Sequence, residues 1–168
     1  KAILVRFSPG QSLYDPGDPA GGIYGVVEGA VRVRIATSET NSQLIGCFQT
    51  GAWIGQAPSI NGTSRTMGFT AANNVQALHL PLHVVTALVQ QSPGLGAALA
   101  TLSEWNLNLA LQAIAELTIP KVERRIAARL LGMANYPFGV PNGKVWEVPL
   151  TQSEIAEIAC CSRHNVNK

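Results

Sequence analysis

The chain has 168 residues, 46% of them hydrophobic and 13% charged, with a formal net charge of +2. That length allows one large or two small domains around a real core, and the charge is too small to imply a nucleic-acid partner by itself. Cys47, Cys160 and Cys161 make neither a disulfide framework nor a zinc pattern, and no apolar run reaches membrane-spanning length. A reduced, cytoplasmic chain with no metal site and no membrane partner is therefore expected.

Turn residues punctuate the first eighty positions at roughly regular intervals: Ser8-Pro9-Gly10, Asp15-Pro16-Gly17-Asp18-Pro19, Gly21-Gly22, Glu28-Gly29, Asn61-Gly62 and Asn73-Asn74. This is the chemistry of an all-β sandwich or roll. Ile23–Val27 and Ala30–Ile35 are rich in β-formers. In the second, Val31, Val33 and Ile35 alternate with Arg32 and Arg34, which predicts a half-buried strand.

From Pro93 to Pro120 the pattern turns helical, and Glu104 and Glu116 are its only charged residues. Leu95, Leu99, Leu102 and Leu109 mark one face, and Leu107, Leu111 and Ile114 another. Such a helix must be covered on more than one side. A β domain on one side and a second copy of the helix on the other would do this; burial within one monomer is the alternative. Asn106, Asn108 and Gln112 argue against a membrane span. Pro120 predicts a break or hinge. Lys121 to about Asn135 follows as a helix with a basic face (Lys121, Arg124, Arg125, Arg129) and an apolar one (Val122, Ile126, Leu130, Met133). Tyr136–Gly143 reads as a loop or hairpin tip, and Lys144–Val148 as a short strand.

The last nineteen residues read as helix, tight turn and helix. Thr151 and Glu154 have the spacing of a capping box. Ile155, Ala156, Ile158 and Ala159 form a short apolar face, Cys160-Cys161 the turn, and Ser162 an N-cap. The second helix displays Arg163, His164, Asn165, Asn167 and Lys168, which carry donors for base edges and charge for phosphate. A plain helical hairpin would read the same way. Charge separates the two: residues 1–120 hold five basic and six acidic side chains, whereas residues 121–168 hold seven and four. The positive excess lies with the candidate DNA-contacting segment. Lys1 opens mid-pattern and Lys168 ends inside a helix, so both ends read as cut.

This order of parts resembles the bacterial Crp/Fnr (catabolite-activator and fumarate–nitrate regulator) family over nearly the whole chain. Phe7–Ala20 and Ile23–Val33 are similar to the opening strands of its cyclic-nucleotide-binding roll, the long helix to its dimerisation helix, and Leu150–Lys168 to its helix-turn-helix. The resemblance implies an α+β fold. A sensor β-roll of jelly-roll type would span residues 1–92, a dimerisation helix 93–119, and a winged helix-turn-helix, incomplete at its C-terminal end, 120–168. It implies a homodimer on a palindromic operator, with RNA polymerase as a further partner. The helix residues Leu99, Leu102, Asn106, Leu107, Leu109, Leu111 and Ile114 would form the dimer interface.

The family's phosphate-binding cassette matches Gly55–Thr66, so Gly55, Gln56, Ala57, Arg65 and Thr66 are the candidate effector residues. Arg65 would pair with a cyclic phosphate, helped by backbone N–H groups and the Thr66 hydroxyl. A surface salt-bridge arginine is the competing reading. Gln56 stands where the family has a ribose-binding glutamate, a loss of roughly 1 kcal/mol of charge assistance. Ala57 and Pro58 also depart from the pattern. Ala110 and Leu111 stand at about the positions that meet adenine in cAMP-responsive members, and neither side chain can hydrogen-bond. The effector thus stays open. A cyclic nucleotide is one candidate. Haem at His79 or His83 is another, although such histidines are more often ordinary surface residues. An iron–sulfur cluster needs several cysteines, and Cys47 is alone in the roll. Cys160-Cys161 is either a thiol sensor or a turn with one cysteine facing the core.

In the DNA motif, Arg163 is the candidate for a bidentate guanine contact, and His164 replaces a cytosine-reading glutamate of the catabolite activators. Thr151 and Gln152 would contact phosphate, and Ser162, Asn165, Asn167 and Lys168 complete the set. A sequence-specific regulator follows, and no catalytic frame is present. Two alternatives remain: an effector-independent DNA binder, and a cyclic-nucleotide-binding module serving an enzyme or channel. Residues 150–168 argue against the second.

Overall fold

The computed structural model describes residues 1–36, 42–134 and 147–167. Among them eight strands form two antiparallel four-stranded sheets. They are β1 Ile3–Phe7, β2 Ser12–Tyr14, β3 Gly22–Glu28, β4 Ala30–Ile35, β5 Gln43–Gln49, β6 Trp53–Ile54, β7 Met67–Ala71 and β8 Val75–Pro81. The sheet orders are β1-β8-β3-β6 and β2-β7-β4-β5. The chain therefore passes repeatedly between two layers, as in a roll, and the inward positions close one core. Leu13, Val26, Val31, Val33, Ile54 and Phe69 are among its buried members. The predicted turns sit between these strands. Gly29, between β3 and β4, has φ of 87°, and a Cβ there would lie 2.3 Å from the Asn74 carbonyl oxygen. Only glycine fits that corner.

A short helix, α1 Gln56–Asn61, interrupts the roll after β6, and α2 Leu82–Gln91 leaves it after β8. The long helix α3 spans Pro93–Leu117, with proline in its first turn, where its missing N–H costs nothing. One side of α3 packs on the roll: Leu99, 4% exposed, joins Ile23 and Val85, and Leu109 packs against the main core. This corrects the expectation for Leu99, whose side chain is used up inside its own chain. The other side stays open, with Leu107, Leu111 and Ile114 at 57%, 53% and 62% exposure. The two-faced pattern thus corresponds to one covered and one uncovered stripe.

Helices α4 Val122–Ala134, α5 Gln152–Ile158 and α6 Arg163–Val166 complete the described fold, with Pro120 in the break after α3. The predicted loop Tyr136–Gly143, most of the predicted strand Lys144–Val148, and Lys168 lie outside the described residues. The basic face predicted on α4 is not a single face. Lys121 and Arg124 are exposed. Arg125 instead donates to the carbonyls of Ala159 (2.8 Å), Ile119 (2.8 Å) and Cys160 (3.3 Å). Arg129 is buried, donating to Glu116 at 3.1 Å and to the Ile45 carbonyl at 2.8 Å. The ends of α3 and α5 leave carbonyls without helical partners, and long arginine stems reach them. No helix among the described residues is long and apolar enough to cross a membrane.

Candidate effector cleft and nucleic-acid interface

Arg65 follows α1 and enters the roll. Its backbone is clamped by the loop after β2: its N–H donates to the Asp18 carbonyl at 2.8 Å, and its carbonyl accepts the Gly17 N–H at 2.7 Å. The side chain is 4% exposed. Its guanidinium lies 3.7 Å from the centre of the Tyr14 ring, a cation–π contact. It donates to the carbonyls of Gly22 (2.7 Å) and Gly55 (3.4 Å), while Nε is buried without a partner. Gly55 makes this approach possible: it has φ of 88°, and a Cβ there would lie 2.4 Å from Arg65 Nη1. The surface salt-bridge reading of Arg65 is therefore wrong. Burial raises the Tyr14 hydroxyl pKa, with Arg65 opposing it, so Tyr14 stays neutral beside the cation.

A cleft of about 720 Å³ opens beside Arg65. Of the predicted effector residues, Gly55, Gln56, Ala57, Arg65 and Thr66 all line it. Gln56 is buried, whereas Ala57 and Thr66 are exposed. From α3, Ser103, Asn106, Leu107 and Ala110 contribute, and Leu111 does not. The cleft continues past β5 to Met133, Ile158 and Cys160, so it reaches the segment assigned to DNA contact. That reach, and the part of Tyr14, were not read from the sequence. His79 stacks on Tyr24 with ring centres 4.3 Å apart, and its Nε2 lies 3.1 Å from the Gly21 carbonyl oxygen. Cys47 is buried among Ala30, Leu44, Met133 and Ile158, and burial pushes its thiol up to about 12. It is a core residue rather than a ligand.

At the nucleic-acid end, both halves of the capping box form. Thr151 Oγ1 accepts the Glu154 N–H at 3.2 Å, and Glu154 Oε2 accepts the Thr151 N–H at 2.7 Å. Ser162 stands at the N-cap of α6, but its hydroxyl donates to Asn165 Oδ1 at 3.1 Å and caps no backbone N–H. Thr151, Gln152, Ser162, Arg163, His164 and Asn167 are exposed and Asn165 is half-buried. Cys160 makes the turn with φ of 48°, the one non-glycine residue at positive φ among the described residues. Cys160→Gly should raise stability by about 0.5–1 kcal/mol, the left-handed strain less the added chain entropy. Urea unfolding of the two proteins measures this.

The polar face of β4 is partly covered by ion pairs to α5. Arg32 Nε lies 2.5 Å from Glu154, and Arg34 Nη1 lies 3.3 Å from Glu157. Glu157 also accepts the Leu44 N–H at 2.6 Å. Helix α5 is thus docked on the sensor roll by two ion pairs that the sequence reading missed. The available signal was two arginines alternating on one strand and two glutamates one helical turn apart. Burial alone would raise the Glu154 carboxyl pKa, but hydrogen bonds from Thr151 and Arg32 outweigh it and hold the group below its ordinary value. A depressed carboxylate stabilises the fold above its unfolded-state pKa, and this is lost as pH falls through the folded value. Glu154→Gln keeps a capping side chain and removes the charge. It should cost about 1 kcal/mol at pH 7, and the gap should close below about pH 4, as read by denaturation at stepped pH.

Comparison with known proteins agrees with this architecture. Residues 4–92 match the family model described as a cyclic nucleotide-binding domain. The chain is 23% identical over 166 residues to the cAMP-activated global transcriptional regulator CRP of Salmonella typhimurium, covering 98% of this chain and 79% of that protein. It is 25% identical over 166 residues to a CRP-like cAMP-activated global transcriptional regulator of Mycobacterium tuberculosis, covering 98% and 74%. Among solved structures, FixK2 from Bradyrhizobium japonicum superposes with a TM-score of 0.85 at 18% identity, covering 99% of this chain and 81% of that one. A CRP/FNR-family transcriptional regulator from Thermus thermophilus gives 0.71 at 27% identity, covering 98% and 82%. With its roll, its long helix and its terminal helical pair in this order, the chain belongs to the Crp/Fnr family and carries that family's cyclic nucleotide-binding domain.

Proposed function

We propose that the protein is a homodimeric, sequence-specific DNA-binding transcription regulator without catalytic activity, gated by a small effector in the roll. The observation that carries this is one cleft bordered at once by Arg65 of the roll, by α3, by α4, and by α5, the first helix of the terminal pair. A ligand there touches every part whose arrangement must change. It gates the protein if it binds one arrangement more tightly than the other. In this reading residues 1–92 sense, 93–119 dimerise through Leu107, Leu111 and Ile114, and 120–168 contact DNA. Arg163 reads a guanine edge, and Thr151 and Gln152 hold phosphate. A palindromic operator follows from the two-fold axis, and RNA polymerase is the further partner.

A second reading, an effector-independent DNA binder, is favoured by Gln56 in the ribose position and by the bonding of Arg65 to Gly22 and Gly55. A mobility shift with a selected duplex tests the proposal. Arg163→Ala should weaken binding tenfold to a hundredfold and relax preference at one base per half-site. Equal loss on every sequence would remove Arg163 from base reading, and the absence of any specific shift would overturn the proposal.

A further inference from the structure

Several polar groups around the cleft are already committed. Ser103 Oγ donates to the Leu99 carbonyl at 3.0 Å, and Gln112 Nε2 donates to Glu116 at 2.8 Å. Glu116 pairs with Arg129, and Glu157 with Arg34. Two buried donors are left over, the Nε of Arg65 at one end of the cleft and the Nε of Arg129, whose other nitrogens hold Glu116 and the Ile45 carbonyl. An unpaired buried donor of this kind is costly and calls for an acceptor. Elsewhere the wall is mostly apolar, interrupted by Gln43, Gln56, Thr66 and Asn106. Ile45, Met67 and Leu107 line the cleft and are exposed in the single chain, Leu107 at the border of the stripe assigned to the dimer contact. A ribose and a purine carry hydrogen-bonding atoms all round, and beyond Gln56 and Thr66 this wall has few groups to meet them. Ala110, on the α3 side, has none.

We infer that the effector of this cleft is an amphipathic carboxylic acid, its carboxylate at Arg65 and its apolar body along Ile45, Met67 and Leu107 toward Met133. The inference rests on the regulator reading, because it names the ligand of that same cleft. The volume of about 720 Å³ is in the range of sites that enclose a ligand of drug size. The carboxylate draws Arg65 toward the ligand and satisfies the orphaned donor. The apolar body spans from the roll to the helices that carry the DNA contacts, so its binding depends on how the two are placed. The second copy of α3 closes the open side at Leu107.

Calorimetric titration of the purified protein with dodecanoate, held below its micelle concentration, tests this against dodecanol and cAMP. Dodecanoate should bind at micromolar concentration, and dodecanol at least tenfold more weakly. Arg65→Gln should lose the preference for the acid over the alcohol. Met67→Glu, at an exposed position that leaves the core intact, should weaken the acid at least tenfold. Equal binding of acid and alcohol, or an unchanged affinity in Met67→Glu, would overturn the placement. Tighter binding of cAMP than of dodecanoate would overturn the ligand class. Specific DNA binding is scored separately on the same protein. Failure of dodecanoate with a specific DNA shift rejects this inference alone, whereas loss of both rejects the regulator reading.

Discussion

Replacing Leu111 and Ile114 with glutamate is expected to turn the protein into a monomer that no longer holds its operator. Both side chains are more than half exposed, so the fold of one chain does not depend on them. In the proposed dimer they pack against their counterparts. Burying one such side chain is worth about 1.5–3 kcal/mol, and two positions on two helices give a gross term of roughly 6–12 kcal/mol. Part of this offsets the cost of association, and four glutamates facing one another oppose it further. Dimer affinity should fall by at least about a thousandfold. Operator affinity should fall by at least about a hundredfold, because a monomer engages one half-site. Sedimentation equilibrium and fluorescence anisotropy read the two effects. A double variant that stays dimeric would put the interface elsewhere.

Arg129→Met should destabilise the fold more than Glu154→Gln or any single change on the open face of α3. Arg129 joins three elements: its guanidinium holds Glu116 of α3 and the Ile45 carbonyl of β5 from its place on α4. The pair is nearly inaccessible, with side-chain exposures of 9% and 11%. Gly132 sits one turn along, and a Cβ there would lie 2.9 Å from Glu116 Oε1, so α3 and α4 are as close as the carboxylate allows. Removing one partner of a buried pair costs about 3–5 kcal/mol because the other charge is left without compensation. For a chain of this size that lowers Tm by about 10 °C. The double variant Glu116→Gln, Arg129→Met leaves no charge behind and should recover part of the loss. Equal destabilisation by the single and double variants would show that Arg129 acts by packing alone.

Local chemistry was legible in the sequence. Turn residues marked the strand boundaries, the Thr151–Glu154 spacing gave a capping box that forms, and the two stripes of α3 correspond to its covered and open sides. What the sequence concealed lies at long range. Arg32 and Arg34 alternate as solvent-facing strand residues do, yet they meet glutamates 122 and 123 positions away. Arg125 and Arg129 fall on the polar side of a helical wheel, but their stems carry the charge back to backbone carbonyls of other elements. Leu99 belongs to the same apolar helix as Leu107, and only the packing of α2 and β3 decides that it turns inward. At the effector site, family spacing located Arg65. Periodicity carries no trace of the Gly22 and Gly55 carbonyls that hold it.

The claim that two copies read DNA together is tested most directly by selecting duplexes from a random pool with the purified protein and sequencing what is retained. A two-fold reader should enrich an inverted repeat whose half-site centres lie about 10 base pairs, one helical turn, apart. A pool that stays unenriched, or that yields a single half-site without its inverted partner, would contradict it.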